Sequence, residues 1–212
     1  STGTGTYGSF AIVESSGAWT YTLDNSDSDT DALNGDDAVT DTFTVTATAN
    51  GQSASHAVVI TVNGANDLPT SSAGSASTTE DTLMTFANSD FPFADVDSDD
   101  TSLSRIQITT IESTGDLECQ NANGEADGWQ DCVANDYVTA GTSLRLTPAA
   151  NSVADITFSF KVHDGTAYSA SSYVMTVSVT ADNDAPTFSA TANDVTVNED
   201  TATTITGTTV AD

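Results

Sequence analysis

Asp155-Ile156-Thr157-Phe158-Ser159-Phe160-Lys161-Val162-His163-Asp164-Gly165 sets the terms for the whole chain. Ile156, Phe158, Phe160 and Val162 take alternate positions, and Thr157, Ser159 and Lys161 fall between them. A period of two sends these sets to opposite sides of an extended strand, so one face is apolar and the other polar. The same alternation recurs outward in both directions. Tyr173, Met175, Val177 and Val179 share a phase, as do Ile106 and Ile108. Toward the N-terminus come Val58, Ile60 and Val62, then Phe43, Val45 and Ala47 among Thr42, Thr44, Thr46 and Thr48, then Trp19, Tyr21 and Leu23. No stretch of ten residues or more carries a 3.6 period. Short half-apolar strands divided by Gly, Asn, Asp and Pro predict an all-β chain of antiparallel sheets packed on one side, as in immunoglobulin-type sandwiches.

An internal repeat divides the chain. Asn66-Asp67-Leu68-Pro69-Thr70 recurs as Asn183-Asp184-Ala185-Pro186-Thr187, and each is followed by a Glu-Asp-Thr, at Glu80 and at Glu199. Each also follows a strong strand pattern. The expected units are residues 1–65, about four strands and the C-terminal part of one repeat; 66–182, a complete sandwich; and 183–212, the opening strands of a third. Two incomplete ends raise a further expectation, that residues 183–212 of one copy complete residues 1–65 of the next; the alternative is a plain boundary. Ser1 follows no Met and no signal peptide opens the chain, which reads as a piece of something larger.

Composition excludes several classes. Asp and Glu number 31 against 3 Lys and Arg, a net charge of −28. Phosphate binding needs Lys and Arg, so nucleic acid is no expected partner, and an anionic membrane surface is equally disfavoured. No apolar run reaches the ~18 residues of a spanning helix. The acids then serve as a solvating coat for a salty medium, or pair with divalent cations.

Gly5-Thr6-Tyr7-Gly8-Ser9-Phe10, Gly17-Ala18-Trp19-Thr20-Tyr21-Thr22-Leu23-Asp24-Asn25 and Thr40-Asp41-Thr42-Phe43-Thr44-Val45 resemble the second half of a VCBS-type repeat. Leu146-Thr147-Pro148-Ala149-Ala150-Asn151, with the 155–165 stretch, resembles bacterial cadherin-like repeats, departing at Ala154 where a Gly is usual. The resemblance implies tandem Greek-key β-sandwiches of the immunoglobulin and cadherin-like kind joined by short acidic linkers. It implies a secreted or cell-surface setting in adhesins, biofilm matrix proteins or appended modules of polysaccharide-degrading enzymes. In such arrays, linker acids and acids at facing unit ends hold Ca²⁺ between units. Carried onto this chain, the first junction offers Asn66 and Asp67, and Asp95, Asp97 and Asp99 match the Asp-x-Asp element. The second offers Asp182, Asn183 and Asp184, with Glu80 and Glu199 from adjoining strands, and its own Asp-x-Asp would begin at Asp212. Calcium takes six to eight oxygens, more than any one short loop here supplies, so a shared junction suits it.

Other candidates come from the residues alone. Cys119 and Cys132 would form a disulfide in an oxidising setting; in a cytosolic protein they would be free thiols. Between them, Asn123, Glu125, Asp127 and Asp131 take the spacing of a loose EF-hand-like loop with Gly128 at its sixth position, without the distal bidentate Glu. Otherwise this is an exposed Asn- and Gly-rich loop. Asp24, Asp27, Asp29 and Asp31 read as a solvated acidic loop. Trp129 beside Gly128 is the candidate glycan contact, or else a plug over the sandwich end. Catalysis finds no footing: His56 follows a strand's apolar phase, His163 precedes an Asp-Gly turn, and no G-x-S-x-G turn occurs. The leading expectation is therefore a calcium-rigidified extracellular spacer whose partners are neighbouring repeats. A glycan- or cell-surface-binding module and a filament subunit assembling from copies of itself are the alternatives.

Overall fold

The computed structural model describes residues 2–139, 141–184, 187–189, 199 and 209–211. In chain order the strands are β1 Thr2–Thr4, β2 Gly8–Ile12, β3 Trp19–Leu23, β4 Ala38–Ala49, β5 Gln52–Asn63, β6 Gly74–Thr79, β7 Met84–Thr85 and β8 Arg105–Thr110. There follow β9 Asp116–Gln120, β10 Trp129–Asp131, β11 Tyr137–Val138, β12 Leu144–Thr147, β13 Ile156–His163, β14 Tyr173–Thr180, β15 Thr187–Ser189 and β16 Thr209–Ala211. One four-residue helix, α1 Ser28–Asp31, interrupts them. The all-β expectation holds.

Two sheets enclose the main core. One runs β11-β8-β13-β14-β6 and the other β10-β9-β12-β7. The alternation in β13 is realised: Ile156, Phe158, Phe160 and Val162 are buried, Thr157, Ser159 and Lys161 less so. They meet Leu117 and Cys119 of β9 and Leu144 and Leu146 of β12 in one cluster. Phe86 packs edge-on against Phe158 with ring centroids 5.6 Å apart, and Phe91 against Phe160 at 5.0 Å. Fully burying each such side chain contributes about 1.5–3 kcal/mol, so this cluster holds the two sheets together. Cys119 and Cys132 are bonded, and both are buried at the edge of that core. β14 pairs antiparallel with β13 and parallel with β6, from Met175 opposite Gly74 to Thr180 opposite Thr79.

Residues 1–65 form five strands rather than the expected four. The extra one, β1, is Thr-Gly-Thr and carries no apolar residue for a period to register. β1, β2 and β3 make one antiparallel sheet and β4 and β5 a separate hairpin. Phe10 stacks between Trp19 at 5.5 Å and Phe43 at 4.9 Å, joining the two. The buried Asp41 carboxylate fixes the arrangement, accepting from the N–H of Thr6 at 2.8 Å, the N–H of Tyr7 at 3.1 Å and the Tyr21 hydroxyl at 2.8 Å. Those bonds outweigh burial and hold Asp41 below the usual carboxylate range. Burial and the bond to Asp41 push the Tyr21 phenol up to about 12, so it remains a donor. The hairpin turns at Asn50 and Gly51, both with positive φ, the conformation a two-residue type I′ loop requires.

The third expected unit falls mostly outside the described residues. Within it β15 and β16 pair antiparallel.

Candidate metal centre at the unit junction

The chain leaves β5 through Gly64, whose N–H donates to Asp37 O at 3.0 Å. A Cβ at Gly64 would sit 2.1 Å from Asn34 O, so only glycine lets the exit pass this close to the preceding loop. The loop holding Leu33 and Asn34 then packs on the next segment. Ala65 N–H donates to Leu33 O at 3.1 Å, Ser98 N–H to Ala32 O at 3.2 Å, and the Asn34 amide to Asp100 Oδ2 at 3.0 Å.

Acids gather at this seam. The Asp67 N–H donates to Asp97 Oδ2 at 2.8 Å, and the Asp97 N–H to Asp95 Oδ1 at 3.1 Å. The Asn66 amide donates to Asp164 Oδ2 at 3.3 Å and to Asp67 O. Asp164 also accepts from the N–H groups of Thr166 and, at 2.7 Å, Ala167, which aim its carboxylate back at the junction. Asp95, Asp100 and Asp164 each present an oxygen, and these lie within 4.8 Å of one another.

Three oxygens here are buried and receive no donor: Asn66 Oδ1, Asp95 Oδ2 and Asp97 Oδ1. Asp97 as a residue is only 3% exposed. A buried carboxylate oxygen with no donor and no counter-charge is costly. The electrostatics carry the same mark. Burial, then the charges of Asp31 and Asp95, push Asp67 up. Burial pushes Asp97 up as well, aided by Asp95, Asp67 and Asp100 and opposed by the Asp67 N–H. Asp100 rises through burial and the charges of Asp164, Asp95 and Asp99. In Asp164 burial works upward but is outweighed by the N–H groups of Ala167 and Thr166 and the Asn66 amide, which hold it low.

The sequence-based list maps onto this seam in part. Asn66, Asp67, Asp95 and Asp97 are brought together. Asp99 is exposed and touches the group only through its charge on Asp100. Asp100, Asp164 and Asn34 were missed. In the sequence Asp164 reads as half of an Asp-Gly turn, and the doublet Asp99-Asp100 is the available signal for Asp100. The turn accounts for the first miss: the N–H groups of Thr166 and Ala167 hold Asp164 Oδ1, while Oδ2 meets the Asn66 amide 98 residues away in sequence.

The second junction repeats the local geometry. Asp182 N–H donates to Glu80 Oε1 at 3.1 Å, and Glu80 Oε2 is buried without a donor. The Asn183 amide donates to Asp184 O at 3.2 Å, as Asn66 does to Asp67 O. Glu80, Asn151, Asp182, Asn183 and Asp184 line one cleft. Glu199 is an exposed turn residue, and Asp212 lies outside the described residues.

The cysteine loop does not gather its acids. The Asn123 amide donates to Asp136 Oδ1 at 2.8 Å while its oxygen accepts from Tyr137 N–H at 3.3 Å, and Asp131 lies on β10. Among the described residues the group of three close metal-ligating oxygens is the one at Asp95, Asp100 and Asp164. Trp129 lies on the outer side of β10, its ring 4.3 Å from the Arg145 guanidinium, which also forms a two-pronged bond to Glu118 at 2.6 and 2.7 Å. His163 is buried at the end of β13, accepts from Gly165 N–H and meets Tyr168 edge-on. His56 is exposed on β5. In the acidic stretch, Asp27 caps α1 through the Asp29 N–H, where a plain loop was expected.

Among the described residues no helix is long and apolar enough to cross a membrane. Compared with known proteins, the chain matches no family model, no curated protein and no solved structure.

Proposed function

We propose that this chain is a segment of an extracellular structural or adhesive protein, a spacer whose unit junctions are stiffened by calcium. One observation carries the reading: the buried, donorless oxygens of Asn66, Asp95 and Asp97 at a seam already crowded with carboxylates. Such oxygens call for a hard cation, and Asn66, Asp67, Asp95, Asp97, Asp100 and Asp164 offer the all-oxygen set that calcium prefers. Glu80, Asp182, Asn183 and Asp184 are the corresponding set at the second junction. When bound, the ion supplies charge neutralisation and a fixed geometry between units, and the chain's own residues supply its shape.

The sandwich of residues 66–182 is a cadherin-like Greek-key unit, residues 1–65 and 183–212 belong to flanking units, and the disulfide suits an oxidising compartment. The role is mechanical, with no reaction attached. A cation that prefers the aligned junction shifts the population toward a rod, and one that prefers the folded chain raises its stability.

Calorimetric unfolding in excess EGTA and then across a calcium titration tests this. A rise in transition temperature is expected, reversed by chelator and lost in Asp95→Asn/Asp97→Asn. No shift at millimolar calcium would sink the proposal and leave the acids as a solvating coat.

A further inference from the structure

The β4–β5 hairpin stands apart from the rest of the surface. Between Asp41 and Asp67 there is no Asp, Glu, Lys or Arg, the longest such interval in a chain of net charge −28. Thr, Ser, Ala and Val dominate it, the composition of a strand that pairs readily. Most of it is also bare. From Ala47 through Ala57 every residue of the two strands is exposed, and Val59 is 58% exposed.

Its backbone is half satisfied. The bond from Gly64 N–H to Asp37 O makes that pair a hydrogen-bonded one. Antiparallel pairs alternate, so Val39 with Val62, Asp41 with Ile60 and Phe43 with Val58 are hydrogen-bonded pairs too. The pairs between them are the closer, non-hydrogen-bonded kind. The side chains agree: Thr46 and Ser55 hydroxyls meet at 2.7 Å, and Thr48 and Ser53 at 2.8 Å. The N–H and C=O groups of Ser53, Ser55, Ala57, Val59 and Thr61 therefore point away from β4. No other described strand pairs with β5. A long, uncharged edge of this kind is what edge-protecting devices normally suppress, with Lys, Pro or a bulge, and β5 has none of the three.

We infer that β5 is a self-association edge, and that its occupant is β5 of a second copy, antiparallel about a twofold axis, giving a continuous β4-β5-β5-β4 sheet. Charge selects this occupant. Two copies of so acidic a chain repel over most of their surfaces, whereas the hairpins can meet with no carboxylate facing another. The contact is self-complementary, as a twofold interface must be. It is independent of the junction acids, which lie beyond Gly64 or on later segments.

Sedimentation velocity over a wide concentration range, in EGTA to silence any cation effect, tests it on the whole chain. A reversible monomer–dimer equilibrium is expected. Val59→Lys places a charge on the exposed face of β5, and Ala57→Pro removes an N–H that faces away from β4. Each should shift the equilibrium at least tenfold toward monomer while the far-ultraviolet spectrum is unchanged. Val174→Lys, at another exposed valine, on β14, should leave it intact. A wild-type chain that stays monomeric throughout overturns the inference and leaves the edge to a strand of another kind. A dimer that survives both β5 variants overturns it equally.

Discussion

Asp100→Asn should stabilise the chain without calcium and lose most or all of that advantage with it. Asp95, Asp100 and Asp164 lie within 4.8 Å of one another. At that separation two unit charges repel by about 0.9 kcal/mol in bulk water and about 3.5 kcal/mol at an effective dielectric of ~20. Neutralising Asp100 removes two of these pairs. Asp100 is half-buried, so the water-like end applies, a relief of about 2 kcal/mol without cation. The substitution keeps the carbonyl oxygen that accepts from the Asn34 amide, so little else changes. In EGTA the variant should melt about 4–8 °C above the wild type, at about 2–4 °C per kcal/mol for a chain of this size. In calcium at a hundred times the dissociation constant, the wild type gains about 2.7 kcal/mol. A variant binding tenfold to a hundredfold more weakly gains about 1.4 to 0.4 kcal/mol. Its lead should shrink to about 0.7 kcal/mol in the first case and reverse by about 0.3 kcal/mol in the second. Differential scanning calorimetry of both proteins under both conditions decides the matter. A variant less stable than wild type in EGTA, or one with an undiminished calcium gain, would refute the reasoning.

Other expectations follow from single sites. Asp41→Asn swaps a buried carboxylate for an amide facing three donors, and should cost about 2–4 kcal/mol in urea unfolding followed by Trp19 emission. Because Asp41 titrates below its unfolded value, its stabilisation is present above about pH 4 and is lost as pH falls through the folded value; the Asn variant should lack that acid-sensitive component. Replacing Cys119 and Cys132 together by Ser should lower stability by about 3 kcal/mol, the loop-closure value for a bridge of this span, and reductant should then have no effect on the variant. Arg145→Lys keeps the charge but loses the planar stack and the two-pronged bond to Glu118, so Trp129 emission should shift to the red and the transition temperature should fall.

Strands with strict alternation were legible because one face of each is buried against a common core, as in β13 and β14. β1 was not, since Thr-Gly-Thr has no apolar residue. Asn66, Asp67, Asp95 and Asp97 were legible because they sit in short local motifs. Asp164 and Asn34 were not: they reach the seam across 98 and 66 residues of chain, through contacts with Asn66 and Asp100. Local spacing carries no record of such distant meetings. The cysteine loop shows the converse limit of local spacing. Its oxygens have the right spacing along the chain, yet Asn123 is turned inward by Asp136, a residue outside the proposed motif.

The parallel pairing of β6 with β14 has a consequence for load. Along this ladder the incoming and outgoing strands of residues 66–182 lie side by side and point the same way, so the unit is entered at one end and left at the other. A pull applied through Asn66 and Asp182 then slides one strand along its neighbour. All the pairs from Gly74–Met175 to Thr79–Thr180 must yield together. The β4–β5 hairpin pulled at Ala38 and Asn63 would instead open like a zipper, one pair after another from its open end. Pulled by its two ends, the unit therefore resists through six ordinary backbone pairings loaded in shear.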